Sequence, residues 1–193
     1  FYDYDRGEIL IDGVNIKDYS SKELRNSVGL VLQDPFLYHG TVESNIKMYN
    51  ESLTREDVIE AAKFVDAHNF IDKLEDKYDS LVTERGSTFS SGERQLLTFA
   101  RTIASKPKIL ILDEATANID SETEELIQHS LEKMRKGRTT IAIAHRLSTI
   151  QDSSCIYVLD KGEIIESGTH DELIALKGNY YKMYQLQAGM LNK

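Results

Sequence analysis

Lys108-Ile109-Leu110-Ile111-Leu112-Asp113-Glu114 is the stretch on which the fold turns. Four aliphatic residues in a row read as a buried strand, and two carboxylates close it. Downstream, Ser121-x-x-Glu124 marks a helix start, and Ile127, Leu131 and Met134 recur on one face of that helix. Arg138-Thr139-Thr140-Ile141-Ala142-Ile143-Ala144 is another apolar run, read as a second buried strand ending at His145. Strand, helix, strand over 109–144 is a βαβ unit, whose strands are expected to run parallel with a right-handed crossover. Ligands of such sheets bind beyond the carboxyl ends of the strands. Asp113, Glu114 and His145 are therefore the first candidates for chemistry, and Gln33, after the apolar run Val28-Gly29-Leu30-Val31-Leu32, is a candidate for the same rim.

Working outward, Glu8 to Ile16 alternates apolar residues around Asp12-Gly13, a hairpin signal because both turn positions favour φ > 0. Ser154–Asp160 and Glu163–Glu166 form a second hairpin over Lys161-Gly162. Thr54 to about Leu74 reads as a helix with a Thr54-x-x-Asp57 capping box and Val58, Ala61, Ala62 and Val65 inward. After the loop at 83–88, Ser90-Ser91-Gly92 opens a helix with Leu96, Phe99, Ala100 and Ile103 as its apolar face. Two short helices, His170–Leu176 and Tyr180 to about Leu186, close the chain. The reading is one α/β domain with a parallel sheet core and antiparallel hairpins at its edges.

Composition narrows the classes. The chain has 193 residues, 40% hydrophobic and 28% charged, as in globular proteins. Its net charge of -9 disfavours a nucleic-acid surface, which needs clustered Lys and Arg, while leaving room for a small phosphate ligand. The single cysteine, Cys155, excludes an internal disulfide and is expected to be a small core residue. There is no apolar run of the ~20 residues that span a bilayer. The first residue is Phe1, which reads as a cut piece of something longer.

Two adjacent carboxylates at a strand end can divide labour: one holds Mg²⁺ through hard oxygen ligands, the other orients an attacking water. Ser90-Ser91-Gly92 at a helix start offers free N–H groups to an anion, although plain N-capping explains serine there equally well. Each feature alone is an ordinary strand end or cap. It is their coincidence at the ends of parallel strands that points to a phosphate site.

In order along the chain, these residues resemble the motifs of the nucleotide-binding domain of ABC transporters, exporter type. Val31-Leu32-Gln33-Asp34-Pro35 is similar to the Q-loop and Thr83-Glu84-Arg85-Gly86 to the X-loop. Phe89-Ser90-Ser91-Gly92-Glu93-Arg94-Gln95 resembles the signature, and Ile109 to Thr116 the Walker B strand. Ala117-Asn118-Ile119-Asp120 resembles the D-loop, and Ala144 to Ser148 the H-loop. The resemblance implies a P-loop NTPase-like sheet core and a helical signature subdomain at about 40–104. It also implies ATP and Mg²⁺ as cofactors. Asp113 would act on the metal, Gln33 on the metal or the attacking water while sensing the transmembrane partner, Glu114 on the attacking water, and His145 on the γ-phosphate. Ser90, Ser91, Gly92 and Glu93 would form the signature turn facing the ATP of a second nucleotide-binding domain, with Asp120 at the interface. The other implied partners are the coupling helices of a transmembrane domain, with Phe36 to Val42 as the docking surface or, in the alternative, local core. The setting is the cytoplasmic face of the cell membrane, with no nucleic acid bound. The alternative is an ABC-type ATPase acting on nucleic acid or ribosomes; the net charge and the lack of a heptad run between Gln33 and Ser90 weigh against it.

Two departures from the family pattern stand out. No G-x-x-x-x-G-K-[ST] occurs in the 193 residues. The family carries that loop just before the segment resembling Phe1-Tyr2-Asp3, so these residues alone are expected to bind ATP weakly and to be inactive. A core strand and helix are expected to be missing with it, leaving neighbours exposed. The second departure is Glu93 in place of a neutral amide, a charge expected to turn away or to pair with Arg94. The pattern is similar to one half of heterodimeric bacterial multidrug exporters; Glu114 and His145 assign the chain to the hydrolysing half, with a homodimer as the alternative. His39, His68, His129 and His170 lack metal-ligand spacing, and Tyr180, Tyr181 and Tyr184 read as a packing face.

Overall fold

The computed structural model describes residues 4–48, 50–83, 86, 88–113, 121–144 and 146–189. The chain divides into two compact units, residues 1–141 and 142–193.

The first unit opens with the expected hairpin, β1 (Leu10–Ile11) paired antiparallel with β2 (Val14–Asn15). Its turn residues Asp12 and Gly13 have φ of 50° and 80°, the left-handed pair that matches strand twist. α1 (Ser21–Ser27) begins with a full capping box between Ser20 and Glu23. β3 (Val28–Val31) follows directly. β4 (Gly40–Thr41) leads into α2 (Val42–Lys47), α3 (Arg55–Phe64) and α4 (His68–Ile71). β5 (Leu81–Val82) returns to pair antiparallel with β4. α5 (Ser91–Ala104), β6 (Ile109–Asp113), α6 (Ser121–Arg135) and β7 (Thr139–Ile143) complete the βαβ unit.

β3, β6 and β7 form one sheet in that order. β3 and β6 are parallel, with Val28 opposite Ile109 and Val31 opposite Leu112. The first hairpin, β1–β2, forms a two-stranded antiparallel sheet.

Register and burial explain which face is covered. Val31, Leu110 and Leu112 share a face with Gly29 and are buried. A Cβ on Gly29 would lie 2.7 Å from Thr102 Cγ2 of α5 and 2.8 Å from Pro107 Cγ, so only glycine allows this approach of helix to strand. The core continues through Leu96, Phe99, Ala100, Ile103, Ile127, Leu131 and Met134, the faces that helical spacing predicted, with Leu97 beside them. The opposite face is not covered in this way. Leu30 is 42% exposed and lines a cleft of about 610 Å³ with Tyr4, Lys17, Tyr19 and Ile111. Ile141 and Ile143 of β7 are each 55% exposed. β3, expected to be buried, is thus covered on the side of Gly29 and Val31 with Leu30 exposed, and β7, also expected to be buried, has Ile141, Ala142 and Ile143 exposed.

The helix predicted over 54–74 is broken. Asp66 adopts φ 61°, and α3 and α4 are distinct. The break is held from α6: the Ser130 hydroxyl, fully buried, donates to the Val65 carbonyl at 2.9 Å, and Lys133 Nζ reaches Asp66 at 2.8 Å. A polar contact remote in sequence overrides a local periodicity that runs through.

The second unit contains β8 (Ile156–Asp160) paired antiparallel with β9 (Glu163–Gly168), then α7 (His170–Leu176) and α8 (Asn179–Gln187). Leu147, Ile156, Val158, Leu173 and Tyr180 form its core. Tyr180 donates to or accepts from His170 Nδ1 at 2.8 Å, and Tyr184 stacks edge-on against the same ring. Cys155 precedes β8 and is exposed, contrary to the core position expected of it. No helix among the described residues is long and apolar enough to cross a membrane.

Candidate functional site

The rim at the carboxyl ends of β3 and β6 follows from the register. Because Val31 lies opposite Leu112, Asp113 closes β6 beside the chain that leads from β3 into Gln33. Gln33 is exposed and Asp113 half-buried. Both offer hard oxygen donors, a carboxylate and an amide carbonyl, the chemistry that suits Mg²⁺. Among the described residues there is no group of three or more His, Cys, Asp or Glu that could hold a metal ion. Glu114, Asp120 and His145 lie outside the described residues.

The segment after Gln33 is held from α5. Leu37 is fully buried, while Phe36 and Tyr38 are 48% and 41% exposed and meet edge-to-face at 4.8 Å. Arg101 donates to the carbonyls of Asn45 at 2.7 Å and Phe36 at 2.9 Å, and to Asn45 Oδ1 at 3.1 Å. Asn45, 2% exposed, accepts from the Tyr38 N–H and donates to the Tyr38 carbonyl, both at 2.8 Å. Burial pulls the Arg101 guanidinium below its ordinary pKa. No periodicity announces this clamp; an Asn and an Arg spaced far apart carry no local signal.

The Ser90–Glu93 turn is a complete capping box. The Ser90 N–H donates to Glu93 Oε2 at 2.8 Å, and the Glu93 N–H donates to the Ser90 hydroxyl at 3.2 Å. This answers where the unusual carboxylate goes: it folds back on the helix start. Arg94 does not pair with it and instead donates to the Phe89 carbonyl at 2.7 Å. The physical reason is local, since the N3 position places Glu93 over the orphan N–H of the cap. Ser91 and Gly92 are the first two helical residues, whose N–H groups have no intrahelical acceptor in an α-helix. The loop before the turn is tied to both neighbours. Gly86, at φ 63°, accepts from the Phe89 N–H, and a Cβ there would meet Leu37 and Arg94.

The buried amide of Gln95, 2% exposed, has no acceptor for its nitrogen among the described residues. Gln95 closes the signature stretch, whereas Thr123, which meets Gly92 across the α5–α6 contact, was not singled out by sequence pattern.

The sequence profile described as "ABC transporter" matches residues 1–117. The chain belongs to the ABC transporter family. It is 69% identical over 191 residues to the putative ABC transporter ATP-binding protein exp8 of Streptococcus pneumoniae, covering 99% of this chain and 33% of that protein. It is 53% identical to the probable multidrug resistance ABC transporter ATP-binding/permease protein YheH of Bacillus subtilis, covering 98% of this chain and 28% of that protein. Its structure resembles that of a bacterial Atm1-family ABC exporter solved with ATP bound, at a TM-score of 0.87 and 42% identity, covering 97% of this chain and 33% of the other. The chain therefore spans about a third of the length of these relatives. The mixed α/β fold with a parallel sheet is that of an exporter nucleotide-binding domain.

Proposed function

We propose that the chain is the ATP-binding and ATP-hydrolysing region of an ABC exporter, coupling nucleotide-driven closure of two such domains to movement of transmembrane helices. The observation that carries the reading is the register of β3 and β6, which sets Asp113 beside the Gln33 segment on one rim of the sheet. Asp113 and Gln33 would hold Mg²⁺, which when bound neutralises phosphate charge. Glu114 orients the attacking water and His145 hydrogen-bonds the γ-phosphate. Ser90, Ser91 and Gly92 present helix-start N–H and hydroxyl groups to the ATP held by a second nucleotide-binding domain, and Asp120 lies at that interface. Glu93, folded onto the cap, keeps its charge on the Ser90 N–H rather than on phosphate.

Residues 40–104 act as the helical signature subdomain. The exposed Phe36–Tyr38 pair, held by Arg101 and Asn45, is the surface that receives the transmembrane coupling helices. The setting is the cytoplasmic face of the membrane, and these residues alone, without a phosphate-cradling loop, are inactive. The experiment is Glu114→Gln in the full-length protein. Turnover of ATP falls by about a thousandfold or more while nucleotide binding persists, as for loss of a group that acts on the reacting water. Undiminished hydrolysis refutes the assignment.

A further inference from the structure

Gly92 lies within the first turn of α5 in ordinary helical conformation, so its backbone does not require glycine. Helix formation does not favour it either, since glycine costs about 1 kcal/mol relative to alanine in a helix. What the position lacks is room. A Cβ built there would lie 2.7 Å from Thr123 Cβ and 3.1 Å from Thr123 Cγ2, with the Thr123 hydroxyl closer still. Thr123 is β-branched, and its Cβ does not move when χ1 rotates. The first turns of α5 and α6 therefore touch at a point that admits only a hydrogen atom. Gln95, one turn along α5, is also buried. α6 is the helix that follows Asp113 and the 114–120 segment.

We propose that the missing side chain at Gly92 serves the contact with Thr123, and that this contact positions the phosphate-facing turn of α5 against α6. The signature turn, which serves the partner's nucleotide, is thereby tied to α6 of its own chain. Thr123 is a positioning residue, acting through Gly92. The inference rests on the signature role assigned above. A competing explanation of the glycine is that bound nucleotide needs the space, and the two differ in which second substitution restores function.

The test uses the full-length protein, with ATP turnover and melting temperature measured for Gly92→Ala, Thr123→Gly and the double variant, and with Ser91→Ala in parallel. Gly92→Ala lowers kcat about tenfold or more and changes KM for ATP by less than about threefold, because alanine keeps the backbone N–H that faces phosphate. Thr123→Gly lowers kcat about threefold, and the double variant matches Thr123→Gly, the non-additivity of two residues in direct contact. Thr123→Ala rescues less than Thr123→Gly, because it keeps the Cβ. A double variant as impaired as Gly92→Ala overturns the proposal, as does full activity in Gly92→Ala alone. If Gly92→Ala does not fold, recovery of folded protein in the double variant carries the same conclusion, and its absence the opposite one. Unchanged turnover in Ser91→Ala refutes the signature role instead. The melting temperatures of Gly92→Ala, Thr123→Gly and the double variant then still decide whether Gly92 and Thr123 are coupled.

Discussion

Removing the Arg101 guanidinium should free the segment that follows Gln33. Its three hydrogen bonds converge on that segment and on α2, to the Phe36 carbonyl at 2.9 Å, the Asn45 carbonyl at 2.7 Å and Asn45 Oδ1 at 3.1 Å. The cation also sits 5.6 Å from the Tyr38 ring centroid. A hydrogen bond from a charged donor is worth about 1.5–3 kcal/mol by mutation, and exposed cation–π contacts about 0.5–1. The three bonds share one group and are not additive, and the variant recovers the cost of burying the cation. A loss of about 3 kcal/mol is therefore expected for Arg101→Ala. Arg101→Lys, with one nitrogen to offer, loses about 2 kcal/mol because at least one carbonyl is left without its donor.

The sensitive assay is amide hydrogen exchange at Tyr38, whose N–H donates to Asn45 Oδ1. A local loss of 2–3 kcal/mol accelerates exchange there by about 30- to 150-fold, at roughly 1.4 kcal/mol per tenfold. Amides of α7 in the other unit should be unchanged. Acceleration below about threefold at Tyr38 in Arg101→Ala would show that the guanidinium does not hold the segment, since even one lost charged bond predicts more than tenfold.

Two further outcomes follow from packing and from charge. Gly29→Val should destabilise the first unit by about 1–3 kcal/mol, read from the urea midpoint, because its side chain enters the space of Thr102 and Pro107; an unchanged midpoint would mean that the α5–β3 approach is looser than described. Acid titration should also show a specific loss. The Arg55 guanidinium, hydrogen-bonded to Asp79, holds that carboxyl below its ordinary 3.8. Burial pushes Glu43 up, but Lys47 and Arg55 together outweigh it and hold it below 4.5. With folded values depressed, their contribution is complete above the unfolded values and is lost as pH falls through the folded ones, because the unfolded chain binds the protons more readily. Arg55→Gln should therefore flatten the decline of melting temperature between about pH 5 and pH 3 relative to the unsubstituted chain; an identical decline would count against the pairing.

Element type was legible wherever a pattern is local. The left-handed pair Asp12-Gly13 placed the first hairpin, and Thr54 and Ser90 start their helices through side chains three residues away. What local pattern misjudged was continuity and environment. Periodicity ran through Asp66 although Ser130 and Lys133 of α6 hold a break there. The apolar run at Val28–Leu32 is equally consistent with burial on two faces or one, and Leu30 is exposed. Of the site, the motif order marked Gln33, Asp113 and the Ser90–Glu93 turn. It did not mark the Arg101–Asn45 clamp or Thr123, because partners remote in sequence obey no spacing rule.

By itself the amino-acid order determined the strand–helix–strand unit, the carboxylate that ends its first strand, the helix start at Ser90 and the family these imply, since each depends on neighbours within a few residues. Only the tertiary structure decided that Arg101 holds the segment after Gln33 and that Gly92 has no room beside Thr123. A side chain chooses among partners by distance and direction, and those exist only once the helices and strands have packed.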